Sequence, residues 1–319
     1  MDLVRLPGTE LSVSRVTVGC EALGGTDWGD SDVDAVVRAI HVALDAGINV
    51  FDVADVYSLG VAEERLAASL GERRKDVVIV TKFGVGWTVG PAAGRAITHS
   101  DASPARLMTA LDASLRRLRI DCIPVYLVHR PDPRTPLADT LEALDRCKAA
   151  GKIRSYGLSN FSIDAIRGLG ESSPVSVLEN EYSLVNRSAE PLLTLARAKG
   201  CGVFTYGTLA HGLLTGKYSA DTRFPENDRR HRMEVFSPAG WDRHRSVVQA
   251  VVLLAARHQR SPSEIAIAWA LSNPAVSSAI VGVKSEDQVR SATRATEHAL
   301  SDDDYDMLTA GAYQRITPC

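Results

Sequence analysis

Short apolar runs, each followed by a stretch with helical spacing, recur along the whole chain. A hairpin-like pair at 3–6 and 11–16 is followed by Val16-Thr17-Val18 and a helix over 32–46 closed by Gly47. Next come Asn49-Val50-Phe51-Asp52 with a helix over 62–70, and a strand over 77–82 with a helix over 104–118. A strand over 123–129 precedes a helix over 137–150 that Gly151 ends. Segments 152–158, 176–181 and 202–206 read as strands followed by helix or loop. The rest reads as helices over 241–258 and 262–271, a last strand at 279–281, and closing helices over 286–294 and 302–308. These are about eight strand-then-helix units with no low-complexity linker or charge block between them. Such alternation means a parallel α/β sheet, and this number of units favours a (β/α)8 TIM barrel. The expected architecture is one barrel domain over 1–319, with an N-terminal β-hairpin and extra C-terminal helices.

A doubly wound nucleotide-binding sheet would carry a Gly-rich turn after its first strand. Gly84-Val85-Gly86-Trp87-Thr88-Val89-Gly90 has one residue too many for that turn and runs into Pro91-Ala92-Ala93-Gly94 instead of a helix. Gly212-Leu213-Leu214-Thr215-Gly216-Lys217 has one spacer too few for a Walker loop, and Tyr218 stands where Ser or Thr is required. The eight histidines form no HxxxH pair with a neighbouring acid and have no Cys partner, so a zinc site has no support.

Composition narrows the classes further. With 45% hydrophobic and 24% charged residues over 319 positions, the chain has ample material for a core and is not a disordered segment. A net charge of −3 argues against binding nucleic acid through its phosphates. The basic residues are 29 Arg and 7 Lys, so a lysine is a rare choice in this chain and its position is informative. Five cysteines, odd in number and with no CxxC pair, read as reduced thiols of a cytoplasmic protein. The start lacks the apolar core of a signal peptide, and the longest apolar run, 247–256 with Gln249 inside it, is too short to cross a bilayer. The expected partner is therefore a small molecule, with no nucleic acid and no membrane; the oligomeric state stays open.

In a barrel, side chains alternate in and out, and chemistry gathers at the C-terminal ends of the strands. Continuing the parity of each strand, Asp52 shares a face with Val50 and Ile48, Lys82 with Val78 and Val80, and His129 with Val125 and Leu127. Glu179 likewise follows Val177, Asn160 follows Leu158, and Tyr206 follows Phe204. Each alone has a plainer use: Asp52 as a turn cap, Lys82 as a strand end reaching solvent, His129 and Tyr206 as wall or core residues. Together they place an acid, a lysine, a histidine and an amide at one mouth, with Tyr57 in the loop after Asp52.

Such a set suits carbonyl reduction, which needs a hydride on carbon and a proton on oxygen. A tyrosine is a sluggish acid at neutral pH, and a nearby ammonium lowers its pKa. On this reading Tyr57 is the general acid, Lys82 tunes it, and Asp52 holds Lys82 charged and in place. His129 orients the carbonyl or assists proton transfer. No side chain supplies hydride, so a nicotinamide cofactor is implied.

The ordered motifs GINVFDVADVYSLGVAEERLAASL, VVIVTKFG and VYLVHRPDP resemble those of the aldo-keto reductase family over nearly the whole chain. The resemblance implies an (α/β)8 barrel and the tetrad Asp52, Tyr57, Lys82 and His129. It also implies NADPH as cofactor, with NADH not excluded. In GLSNFS it implies that Ser159 and Asn160 bond the nicotinamide carboxamide. In TYGTLAHGLLTGKY it implies Tyr206 stacked on the nicotinamide, with Gly207, Leu209 and Lys217 near the pyrophosphate. In IVGVKSEDQV it implies Gly282, Lys284 and Gln288 at the adenosine phosphate. Glu179 in LENEYSL stands where the family usually has Gln. A carboxylate accepts from the carboxamide but cannot donate, so there Glu179 either loses a partner or carries a raised pKa. Ser291-Ala292 stand where the family tends to have Glu-Asn.

Trp28 and Trp87 are expected to line the substrate pocket. The loop at 222–241, with Arg229, Arg230, His231 and Arg232, either folds over the cofactor or is a solvated surface loop. The implied activity is NADPH-dependent reduction of an aldehyde or ketone to an alcohol, with keto-sugars and natural-product intermediates among the candidates. The alternative is an NADP-binding regulatory or channel-associated subunit with little turnover.

Overall fold

The alternation in the strands is realised as two apolar layers. Val50, Val78, Val80, Val125, Leu127, Val177, Phe204 and Ile280 meet in one buried inner cluster, while Phe51, Ile79, Tyr126, Leu158, Leu178 and Val203 join the larger outer cluster beneath the helices. A computed structural model describes residue 1 and residues 3–89, 96–170 and 173–313. Cys319 and the Pro91-Ala92-Ala93-Gly94 stretch lie outside the described residues.

The strands in chain order are β1 (Leu3–Arg5), β2 (Ser12–Ser14), β3 (Val16–Gly19), β4 (Val50–Asp52), β5 (Val78–Phe83), β6 (Val85–Val89), β7 (Ala96–Ser100), β8 (Ile123–Val128), β9 (Ile153–Ser159), β10 (Val177–Glu181), β11 (Gly202–Tyr206) and β12 (Ser278–Gly282). Eight of them close into a barrel in the order β3-β4-β5-β8-β9-β10-β11-β12, every pair parallel. The hairpin β1–β2 brings Leu6 and Val13 into the inner cluster, so it closes the end of the barrel opposite the strand C-termini.

The helices are α1 (Val33–Asp45), α2 (Val61–Leu70), α3 (Pro104–Leu118), α4 (Leu137–Ala149), α5 (Ile163–Arg167), α6 (Glu190–Ala198), α7 (Pro238–Arg257), α8 (Pro262–Ser272), α9 (Glu286–Arg294) and α10 (Asp302–Tyr313). In α1, the buried Val36, Ala39, Ile40, Ala43 and Leu44 form the stripe that helical periodicity demands of a helix packed on a sheet. Ser103, Ser237 and Ser261 each accept a backbone N–H at a helix start with proline in the next position. Such caps stabilise a helix by about 1 kcal/mol. The Ser237-Pro238 pair explains why α7 starts at Pro238 rather than at the expected Trp241. Among the described residues, no helix is long and apolar enough to cross a membrane.

Two expectations of parity do not hold. Ile48 precedes β4 and packs in the outer cluster rather than with Val50. In β9, Leu158 is also an outer residue, so Ser155, Gly157 and Ser159 face inward, and Asn160 does not inherit the inward face from its strand. Gly157 is there because the barrel wall is close: a β-carbon would stand 1.9 Å from the Val177 carbonyl oxygen. Sequence reading also missed the hairpin β6–β7, in which Val85 pairs with Ser100 and Val89 with Ala96.

Candidate active site

Asp52 ends β4, Lys82 lies near the end of β5, His129 directly follows β8, and Glu179 sits in β10. All four continue the inward parity of their strands and meet at the C-terminal mouth. Lys82 is fully buried. Its Nζ stands 2.5 Å from Asp52 Oδ2, 3.3 Å from the Val53 carbonyl oxygen and 3.4 Å from Glu179 Oε1. Burial works against the ammonium, but the carboxylates of Asp52 and Glu179 outweigh it and raise the pKa of Lys82. Burial raises the pKa of Asp52 as well, with Lys82 opposing. Glu179 is pushed up to about 8 by burial and by the neighbouring Asp52.

Tyr57 is fixed by a contorted turn. Ser58 and Leu59, directly after it, hold φ of 47° and 57°, a left-handed conformation that costs ordinary residues roughly 1–2 kcal/mol each. Ser58 Oγ bonds Thr26 Oγ1 at 2.6 Å, and a β-carbon on Gly24 would come within 2.1 Å of the same Ser58 oxygen. So held, the Tyr57 ring centroid lies 5.7 Å from Lys82 Nζ and 6.0 Å from the His129 ring, edge to face. Burial raises the phenol's pKa well above its ordinary value; Lys82 is the largest opposing influence. The expected acidifying effect of Lys82 is therefore present, but without further partners it does not bring the net pKa down. Burial, Lys82 and Arg130 lower His129 to about 3, so its imidazole is neutral at ordinary pH.

Asn160 reaches the mouth by a different route from the one expected. Its φ of 63° turns the side chain back, so that Nδ2 donates to the His129 carbonyl at 2.9 Å and to Ser159 Oγ at 3.1 Å, while Oδ1 accepts from the Tyr206 hydroxyl at 2.7 Å. Ser159 Oγ in turn donates to Glu179 Oε1 at 3.2 Å. A continuous polar chain thus runs from Tyr206 through Asn160, Ser159 and Glu179 to Lys82 and Asp52.

The remaining candidates lie around this mouth. Beyond Tyr206, Gly207, Ala210, His211, Gly212 and Gly216 all have positive φ, which makes a tightly coiled connection. Leu209 packs partly against the outer cluster, and Lys217 is exposed. Gly282 pairs with Gly19 where β12 and β3 end, and nothing lies within 4 Å of where its β-carbon would be. Gln288 accepts from the Lys284 backbone N–H at 2.6 Å.

Lys284 Nζ donates to the Trp28 carbonyl at 2.7 Å, and Arg229 and Arg230 stand 5.5 and 5.6 Å from the Trp28 ring. The loop that carries them is thus anchored at 228–230, although 225–227 and 231–232 are exposed. Asp228 bridges to Trp28 and forms a 2.5 Å ion pair with Arg230, and Arg229 pairs with Glu21 at 2.5 Å. Trp28, expected in the substrate pocket, therefore sits with the cationic group around Lys284. Trp87 instead stacks at 4.8 Å on Arg106, which pairs with the buried Asp55 at 2.9 Å. Burial pushes Asp55 up to about 7. Neither Asp55 nor Glu21 emerged from the sequence, since both look like ordinary acids in polar segments. The alternating Val-Gly-Trp-Thr-Val stretch was the available signal for β6.

These features fit a nicotinamide dinucleotide. Lys284, Arg229 and Arg230 gather positive charge around Trp28, offset in part by Glu21 and Asp228, and Gly282 leaves open space at the end of β12. At the mouth, His129 Nδ1 is buried with no partner among the described residues, and Glu179 Oε2 is buried with no donor among them. The sequence profile of the aldo/keto reductase family matches residues 15–311.

The chain belongs to the aldo/keto reductase family. It is an enzyme of the class that reduces carbonyls with NAD(P)H. The reductase is 31% identical to the aldo-keto reductase YhdN of Bacillus subtilis over 308 residues, which cover 95% of this chain and 91% of that protein. It is 30% identical to an NADH-specific methylglyoxal reductase of Escherichia coli over 325 residues, covering 97% of each. Its fold matches a glycerol dehydrogenase from Gluconobacter oxydans with a TM-score of 0.90 and 32% identity, covering 100% of the reductase and 97% of that chain.

Proposed function

We propose that this reductase, a single barrel domain, converts a small polar aldehyde or ketone to an alcohol with NADPH, and that Tyr57 delivers the proton. The observation that carries the reading is the buried Lys82, held 2.5 Å from Asp52 beneath the Tyr57 ring. A charge so deeply buried is costly even when paired, and such groups cluster at functional sites. The phenol stays protonated at working pH, as a proton donor must. Lys82 stabilises the tyrosinate left after transfer, and Asp52 holds the ammonium in place. His129, neutral at working pH, orients the carbonyl oxygen through its ring and is not itself the acid. When bound, the cofactor supplies the hydride. Ser159, Asn160 and Tyr206 would hold its nicotinamide, with Glu179 accepting from the carboxamide. Gly207, Leu209 and Lys217 would lie along the pyrophosphate, and Gly282, Lys284 and Gln288 at the adenosine phosphate. The free thiols of Cys20, Cys122, Cys147 and Cys201 suit a reducing, cytoplasmic setting.

The names of the relatives put methylglyoxal and the aldehyde and ketone formed by oxidising glycerol first in a substrate panel, followed by simple aldehydes, keto-sugars and larger ketones. The panel is run with NADPH and NADH in parallel, on the natural enzyme and on Lys284→Ala. Losing one charge-assisted bond to the cofactor phosphate, worth about 1.5–3 kcal/mol, should raise the KM for NADPH by roughly 10- to 100-fold and leave that for NADH nearly unchanged. An equal effect on both cofactors would remove Lys284 from the phosphate site.

A further inference from the structure

Glu179 is a second carboxylate on a lysine that already has one. Lys82 Nζ lies between Asp52 Oδ2 at 2.5 Å and Glu179 Oε1 at 3.4 Å, and both acids are buried. With all three ionised, one ammonium faces two carboxylates and the site carries an excess negative charge in a low-dielectric interior, where it is costly. The closer pair, Asp52 and Lys82, neutralises itself, so the excess resides on Glu179. Its oxygen Oε1 accepts from Ser159, whereas Oε2 is buried and receives no donor among the described residues; the carboxyl lies within hydrogen-bonding reach of Asp52, to which it can donate only when protonated.

The groups facing this centre come from several strands and loops. They are Asp52 from β4, Lys82 from β5, Ser159 from β9 and Tyr206 from β11, with Cys20, Glu21, Tyr57 and His129 from the adjoining segments. Of these, Lys82 favours the Tyr57 anion, whereas Glu21, Asp52 and Glu179 oppose it. His129 is neutral throughout the working range.

We propose that Glu179 is the titrating partner of Lys82: protonated, it leaves the ammonium free to acidify Tyr57, and ionised, it cancels that field and slows proton donation to the carbonyl. The inference rests on the assignment of Tyr57 as general acid. Burial and Asp52 push Glu179 up to about 8, so the change falls within the range in which an enzyme is readily assayed. The sign is fixed: carbonyl reduction declines as pH rises through the ionisation of Glu179. Asp52 does not take this part, because its direct bond to Lys82 keeps the pair together.

The test is the pH profile of kcat for the natural enzyme and for Glu179→Gln, which keeps the shape of the side chain but cannot ionise. From about pH 7 to about pH 9 the natural enzyme should lose about tenfold in kcat, the fall in the protonated fraction of a group titrating near 8, while Glu179→Gln stays level. Glu179→Asp, which keeps an acid, should retain an alkaline decline. Infrared difference spectra of the protein without cofactor give a second reading. A protonated-carboxyl band that disappears between pH 7 and pH 9 in the natural protein should be missing in Glu179→Gln. Superimposable pH profiles, or an infrared titration unchanged by the substitution, overturn the proposal. If the natural enzyme reduces no carbonyl at all, the assignment of Tyr57 fails instead, and the infrared titration still decides whether Glu179 carries the proton.

Discussion

Tyr57→Phe is expected to lower kcat for carbonyl reduction by about 10²- to 10⁴-fold, the usual contribution of a positioned general acid, while the Kd for NADPH stays within about twofold. The separation follows from what the substitution leaves in place. The edge-to-face contact with His129 and the contact with Lys82 both involve the ring, which phenylalanine retains. The turn that positions the residue is held by Ser58, Thr26 and Gly24, none of which changes. The cations proposed to bind phosphate gather around Trp28. NADPH absorbance measures the first quantity and cofactor fluorescence the second. Turnover near the natural level would place the proton on another group. A parallel loss of cofactor affinity would mean that Tyr57 serves binding instead of proton transfer.

Lys82→Met should damage both activity and fold. Removing the ammonium leaves Asp52 and Glu179 buried without their counter-charge, and breaking a buried pair in this way typically costs about 3–5 kcal/mol. The two acids respond by holding protons more tightly than they do in the unfolded chain. A carboxyl whose folded pKa lies above its unfolded value contributes stability that is complete below the unfolded pKa and is lost as pH rises through the folded one. The variant should therefore be less stable than the natural enzyme at about pH 8 and recover part of the deficit at about pH 5. Urea midpoints at the two pH values measure this. A deficit independent of pH would mean that the methionine merely packs badly and that the carboxylates do not govern the effect.

Much of the barrel was legible because its periodicities are clean. The strand residues that alternate between the inner and outer clusters are mostly β-branched or aromatic, and helix ends carry glycines or Ser-Pro caps that name their positions. The meeting of Asp52, Lys82 and His129 at one mouth was legible for a similar reason, since each continues the inward face of an apolar strand. Parity misled where the backbone leaves the strand: Asn160 reaches the mouth through a left-handed turn, and the apolar neighbour used to orient it faces outward. The net acidity of Tyr57 was not legible either, because burial is set by the whole fold and here outweighs the charge of Lys82. Two features depend on contacts between distant segments and leave no local pattern. One is the placement of Trp28 beside Lys284, 256 positions away along the chain. The other is the Asp55–Arg106 pair beneath Trp87.

The central claim is that the cofactor's hydride goes to a carbonyl at this mouth. The most direct measurement incubates the enzyme with NADPH deuterated at the transferring position of the nicotinamide and a panel of aldehydes and ketones, then locates deuterium in the alcohol by mass spectrometry. The account predicts deuterium on the carbinol carbon of at least one product, in step with NADPH consumed. Tight NADPH binding with no deuterium transferred to any carbonyl would contradict it and favour the regulatory, cofactor-binding subunit.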